Sequence, residues 1–99
     1  MIKTNILPSD LNGVHIHFVG IKGTAALVEI VHARGAVITG SDVPEQFYTD
    51  EILNKLKINV FTAFSPENIT DQVQYVIYSS AYKRDQNPDL IEADRRNLP

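Results

Sequence analysis

The sequence contains no cysteine and no tryptophan. Without thiols there is no disulfide framework, no thiolate metal site and no cysteine nucleophile, and such a chain is at ease in a reducing cytoplasm. Basic residues are in short supply: nine Lys and Arg stand against twelve Asp and Glu, a formal charge of −3. That balance argues against nucleic acid as a partner, whose footprint is a basic patch or stripe. No apolar run approaches the roughly 20 residues that cross a bilayer. The opening, Met1 to Leu11, has one lysine and no apolar stretch of secretory-signal length. Neither a membrane nor a secretory route is expected. Also missing is any Gly-x-x-x-x-Gly-Lys-[Ser/Thr] loop, so the chain has no P-loop through which to hold ATP.

What is present suits one ordinary core. The chain has 99 residues, 43% of them hydrophobic, and domains most often run to about 100–150 residues. Residues 1–12, with Pro8, Ser9 and Asp10, read as an arm leading into a single domain. Val14-His15-Ile16-His17-Phe18-Val19 alternates and then turns apolar between Gly13 and Gly20, which predicts a strand. Leu27, Val28, Ile30 and Val31 recur at helical spacing between Thr24, an expected N-cap, and Gly35, a natural stop. Ala36 to Thr39 predicts a second strand, closed by Gly40-Ser41-Asp42. Strand, glycine turn, helix and strand in this order make a βαβ unit with parallel strands.

The pattern then repeats. Ile52, Leu53 and Leu56 share a helical face, Ile58 to Phe61 predicts a strand, and Ser65-Pro66 opens a helical turn with Pro at its first position. Tyr75-Val76-Ile77-Tyr78 is continuously apolar, as expected of a central strand covered on both faces. Asn87-Pro88-Asp89 starts a last helix through about Arg96. The expected fold is a Rossmann-like, doubly wound α/β domain in three layers with a mainly parallel sheet. The chain closes on Asn97-Leu98-Pro99, where this architecture calls for another strand, so a fragment of a longer protein is expected.

Ligands of such sheets sit outside the carboxyl ends of the strands, near the reversal of strand order. Gly20-Ile21-Lys22-Gly23-Thr24 is the leading candidate, because two glycines let the backbone approach a phosphate and the next helix aims its amides there. The alternative is a tight turn that needs glycine for conformation alone. Lys22 offers a cation, but a solvated loop lysine is the role expected of it. Lys22 and Ala25 stand where the Gly-x-G-x-x-G fingerprint needs its second and third glycines, which disfavours the NAD mode. Asp42, about 20 residues on, offers an acceptor for ribose hydroxyls or a uracil imide, or else caps its own turn. Ser79-Ser80-Ala81 offers hydroxyls and amides at the same edge, or simple loop capping. His15 and His17 share one face; structural histidines are expected there rather than a metal pair. The remaining Asp and Glu read as solvated helix faces. No set of nucleophile, base and orienting group is visible: these residues bind and do not catalyse.

His17-Phe18-Val19-Gly20-Ile21-Lys22-Gly23-Thr24, Glu29 to Gly35, Thr39-Gly40-Ser41-Asp42, Val76 to Ala81, Asn87-Pro88-Asp89 and Arg95 to Pro99, taken in order, resemble the opening of the Mur ligases. The resemblance runs from about His15 to Pro99. It implies an amino-terminal domain that holds the UDP part of UDP-N-acetylmuramate, with ATP and magnesium carried by a central domain and the amino acid met by a carboxyl-terminal one. Carried over by position, Gly20, Ile21, Lys22, Gly23 and Thr24 would face the diphosphate, Asp42 the uracil or ribose, and Ser79, Ser80 and Ala81 the sugar-diphosphate side, with Ser41 also among the residues expected to bind the UDP-sugar. The family's chemistry activates the muramoyl carboxylate as an acyl phosphate for attack by an amino group, and the residues for that step are not here. A murein-tripeptide-recycling ligase of the same family and a stand-alone nucleotide-binding module are the competing readings. Three departures stand out. Relatives carry two further residues between the glycine pair and the helix, a change that would turn the helix by about 200° if truly deleted. Lys57 stands where a helix-ending glycine is usual, at a cost of about 1 kcal/mol. The Ser79-to-Asn87 spacing is one residue long.

Overall fold

In the computed structural model, which describes residues 10–45 and 49–98, most of the expected arm over 1–12 lies outside the described residues. Leu11, at its end, is buried in the core. Between Gly13 and Gly20 the alternating run forms β1 (His15–Val19), followed by a 3-10 turn over Ile21–Gly23, α1 (Ala25–Ala33) and β2 (Val37–Ser41). Then come α2 (Asp50–Lys55), β3 (Asn59–Phe61), a 3-10 turn over Pro66–Asn68, β4 (Tyr75–Tyr78) and α3 (Pro88–Arg95). The strands lie in the order β3-β2-β1-β4 and every pairing is parallel. Chain order therefore reverses beside β1. This is the expected Rossmann-like α/β architecture.

In-register neighbours share a face, and the two faces differ in kind. Ile16 pairs with Ile38 and Tyr75, and Phe18 with Gly40 and Ile77, so one face is apolar. Val28 and Val31 of α1 and Leu53 of α2 pack there with Ile16, Phe18, Ile21 and Ile38. Each fully buried side chain of this kind stabilises the fold by roughly 1.5–3 kcal/mol. The opposite face carries His15, His17, Thr39 and Ser41 beneath α3 and the turn at Pro66–Asn68, which makes the third layer.

Two sequence expectations change. β2 runs on through Gly40 and Ser41, where the sequence predicts the strand to close. The reason is packing: a Cβ at Gly40 would lie 2.4 Å from Ile21 Cδ1, so glycine lets the strand continue beneath the turn. Among the described residues β4 is not central; it pairs with β1 alone at the end of the sheet, and Tyr78 is 41% exposed.

The three helices stop in the same way. The amides of Gly35 and Ala36 bond back to His32 and Val31, those of Lys57 and Ile58 to Asn54 and Leu53, and those of Asn97 and Leu98 to Asp94 and Ala93. These are Schellman motifs with a left-handed residue just past each helix. Lys57, at φ 59°, takes that geometry with a side chain, as the sequence led us to expect. At the start of α3, Asn87 accepts from the amides of Asp89 and Leu90, and Pro88 fills the first helical position.

Candidate functional site

Four loops meet at the carboxyl edge of the sheet, and the crevice of interest lies where order reverses, between the ends of β1 and β4. Gly20 leaves β1 at φ 77°, open to glycine but strained for other residues. A Cβ there would lie 2.6 Å from Tyr82 Cε2 and 2.9 Å from Ser79 Cβ. Gly23, at the other end of the turn, is exposed and faces Ser79, whose Oγ would stand 3.8 Å from an added Cβ. The structure thus brings Gly20, Gly23 and Ser79 together.

The glycine loop is held from behind by Asp42. One carboxylate oxygen accepts from the Lys22 amide at 2.9 Å; the other accepts from the Val43 amide at 2.7 Å and from the Tyr82 hydroxyl at 3.2 Å. Asp42 is 3% exposed. It is a brace for the loop as well as a candidate acceptor. The Thr49 hydroxyl donates to the Lys22 carbonyl at 2.8 Å and ties the loop to the start of α2.

Lys22 is not the solvated lysine expected: it is buried, with Nζ donating to the Glu45 carbonyl at 2.6 Å and lying 3.4 Å from Asp50 Oδ1. With its stem buried along the loop, its ammonium is stabilised by that carbonyl and that carboxylate. Thr24 does stand at the start of α1, yet its hydroxyl donates back to the Ile21 carbonyl at 3.1 Å and does not cap the helix. The one-turn 3-10 segment offers that carbonyl closer than the helix amides. The first-turn amides of α1 consequently have no side-chain cap, the condition under which a helix start receives an anion. Ile21 is fully buried in the core, so only its backbone can serve a ligand.

Ser79 closes its own turn, with Oγ accepting from the Ala81 amide at 3.2 Å; Ser80 and Ala81 are exposed beside it. Ser41 is elsewhere. It is fully buried, and its hydroxyl donates to Asp89 Oδ2 at 2.6 Å.

Asp89 and Tyr82 were not singled out by sequence reasoning. Asp89 is fully buried, against the expectation of a solvated helix face. Its carboxylate accepts from His17 Nε2 at 3.1 Å, the Ser41 hydroxyl, the Ser65 amide at 2.7 Å and the Asn68 amide group at 3.2 Å. Burial alone would raise this carboxyl, but the bonds from His17, Ser41, Ser65 and Asn68 outweigh it and hold the group below its ordinary range. His17 Nδ1 lies 2.8 Å from Thr39 Oγ1, and His15 Nε2 lies 3.3 Å from the same oxygen. Burial first, then the neighbouring His17, lowers the His15 pKa. Both rings are thus engaged by side chains of the same sheet face and of α3. Tyr82 packs at a tilt against Phe64, centroids 4.9 Å apart at 60°, and burial followed by the Asp42 charge pushes its hydroxyl up. Its place in a polar, turn-rich segment gave no sign of this.

The Lys22 ammonium is turned to Glu45 and Asp50, and no three His, Asp or Glu side chains gather as metal ligands among the described residues.

A parallel sheet that reverses order beside its first strand, with a glycine loop and a small-residue loop meeting at that reversal, defines the Rossmann-like class of α/β domains. The chain belongs to the Mur ligase family: the family model described as Mur ligase family, catalytic domain, matches residues 15–99. It is 48% identical over 100 residues to the UDP-N-acetylmuramate–L-alanine ligase of Treponema pallidum (strain Nichols), covering 99% of this chain and 21% of the relative. Ligases of the same name from Desulfitobacterium hafniense and Borreliella burgdorferi are 44% identical over 89 residues and 40% over 95. Those matches cover 87% and 91% of this chain and 19% and 20% of the relatives. The chain thus spans about a fifth of the length of the curated relatives it matches. The Treponema match, at 100 positions, is longer than this 99-residue chain, so the relative carries residues that this chain lacks.

Proposed function

We infer that this chain is the domain of a UDP-N-acetylmuramate–L-alanine ligase that holds the UDP end of the nucleotide sugar. The observation that carries the reading is the meeting of the Gly20–Thr24 and Ser79–Ala81 loops at the reversal of strand order, in a chain 48% identical to a ligase of that name. Gly23, Thr24 and the uncapped start of α1 receive the diphosphate, with Ile21 and Lys22 contributing backbone. Asp42 accepts the uracil imide N–H, and Ser79, Ser80 and Ala81 line the sugar-diphosphate side. Ser41 supports this edge from beneath, through Asp89. The parent enzyme joins alanine to the muramoyl carboxylate in the cytoplasm during peptidoglycan precursor synthesis. Its ATP and magnesium are held by a central domain outside these residues, and a carboxyl-terminal domain meets the amino acid. The names of the relatives favour this over the tripeptide-recycling ligase.

Ligand choice tests the reading. Adenine turns an acceptor toward a carboxylate where uracil turns a donor, and uridine lacks the diphosphate, so UDP binds more tightly than ADP, NAD or uridine. Titration of isotope-labelled protein followed by NMR should move Gly20–Thr24, Asp42 and Ser79–Ala81 on addition of UDP. An equal or stronger response to NAD overturns the assignment. The Asp42→Asn variant should bind UDP more weakly, since a charge-assisted bond is roughly twice as strong as a neutral one. The 99-residue chain alone should release no phosphate from ATP in the presence of alanine, and sustained alanine-dependent release would refute its place as one part of a larger ligase.

A further inference from the structure

We propose that Tyr82 holds the place of the nucleotide in the crevice between the ends of β1 and β4, and that UDP binds by displacing it. This rests on the placement of UDP at that crevice and adds how the site is occupied and released. Tyr82 reaches from the end of β4 across the end of β1 to Asp42 beyond β2. Its ring lies so close over Gly20 that a Cβ there would be 2.6 Å from Cε2 and 2.9 Å from Cδ2. A diphosphate cannot approach the Gly20 backbone on that side while the ring is in place. The hydroxyl, a neutral donor on a flat ring, gives Asp42 what a uracil imide N–H would give it.

The three donors on Asp42 differ in their freedom to leave. The Lys22 and Val43 amides, at 2.9 and 2.7 Å, are fixed in the backbone. The Tyr82 hydroxyl has the longest bond of the three, 3.2 Å, and belongs to a side chain. Tyr82 is half-buried and Lys83, Arg84, Asp85 and Gln86 after it are exposed, so its side chain can turn toward solvent while the backbone of the segment stays hydrogen-bonded. Phe64 remains as a flat wall beside the vacated space, 4.9 Å from where the Tyr82 ring had been. Asp42 is thereby kept satisfied in the free protein and keeps an acceptor ready for the ligand.

Two measurements on the 99-residue chain test this. In the free protein, nuclear Overhauser contacts should join the Tyr82 ring to Gly20, and they should vanish when UDP saturates the site. The Tyr82→Phe variant keeps the ring but gives up the bond to Asp42, so it should bind UDP about fivefold more tightly, the factor expected of one ordinary hydrogen bond. If the Tyr82–Gly20 contacts persist in the UDP-saturated protein, or if Tyr82→Phe binds UDP equally or less tightly, Tyr82 is no competitor and the proposal falls while the site stands. If UDP shifts no residue of the two loops in either protein, the site itself is wrong and the proposal falls with it.

Discussion

The two faces of this sheet are built on different physics. Under α1 and α2, Ile16, Phe18, Ile38, Val28, Val31 and Leu53 are held by burial, which has no direction and tolerates exchange among shapes of similar volume. Under α3, one carboxylate gathers donors from β1, β2, the Pro66–Asn68 turn and its entry: His17, Ser41, Asn68 and Ser65. Such a cluster is strong when complete and costly when any member is lost, because buried polar groups without partners carry the full penalty of leaving water. The apolar face makes the domain stable, and the polar face fixes where the carboxyl ends of the strands sit.

The comparison is sharpest at Asp89. Asp89→Ala strands His17, Ser41, Ser65 and Asn68 at once and should cost about 3–5 kcal/mol, read as a lower urea midpoint or as failure to fold. A milder pair of substitutions asks whether the faces truly differ. Asp89→Asn preserves shape but removes charge and should cost about 2 kcal/mol. Ile16→Val removes a methylene from the opposite face and should cost only about 0.5–1.5 kcal/mol. Equal costs would mean that the polar face is no more exacting than the apolar one.

Acidity separates the faces again, since the polar one alone titrates between them. His15 is held below its ordinary 6.5, so the unfolded chain takes a proton that the native ring refuses; stability falls as pH drops below 6.5, until the native value is passed. Asp89 is held below its ordinary 3.8, and the stability that it contributes above 3.8 is lost as pH falls from there through the native value. Both signs point the same way, in two separate windows. Urea midpoints measured against pH should show both, with Asp89→Asn removing the lower and His15→Gln the upper. The smallest effect belongs to the apolar side: Lys57→Gly relieves a left-handed lysine but adds unfolded-chain entropy, for a net gain of about 0.5 kcal/mol.

Periodicity made the apolar face readable. The alternation through His15 and Phe18, the helical spacing of Val28 and Val31, and Gly35 as a stop each state a local preference that the tertiary structure keeps. Tyr75 to Tyr78 was misread as central because an apolar run looks the same whether one neighbour strand pairs with it or two. Asp89 escaped because its partners lie 72, 48 and 21 positions away at His17, Ser41 and Asn68, and nothing local distinguishes a buried carboxylate at a helix start from a solvated one. The glycine loop and Ser79 were legible from the chemistry of turns after strands. Tyr82 was not, since its role depends on the crossing of three strand ends.

Thr39 has a single hydroxyl proton and two imidazoles to serve. A carboxylate only accepts, so neutral His17 must present its proton at Nε2 to Asp89 and keep a lone pair at Nδ1. Thr39 then donates to His17 and can only accept from His15, which must carry its own proton on Nε2. The tautomer of a ring near the amino end of β1 is thus dictated by a carboxylate on α3 with which it shares no hydrogen bond, a relay readable from imidazole nitrogen shifts.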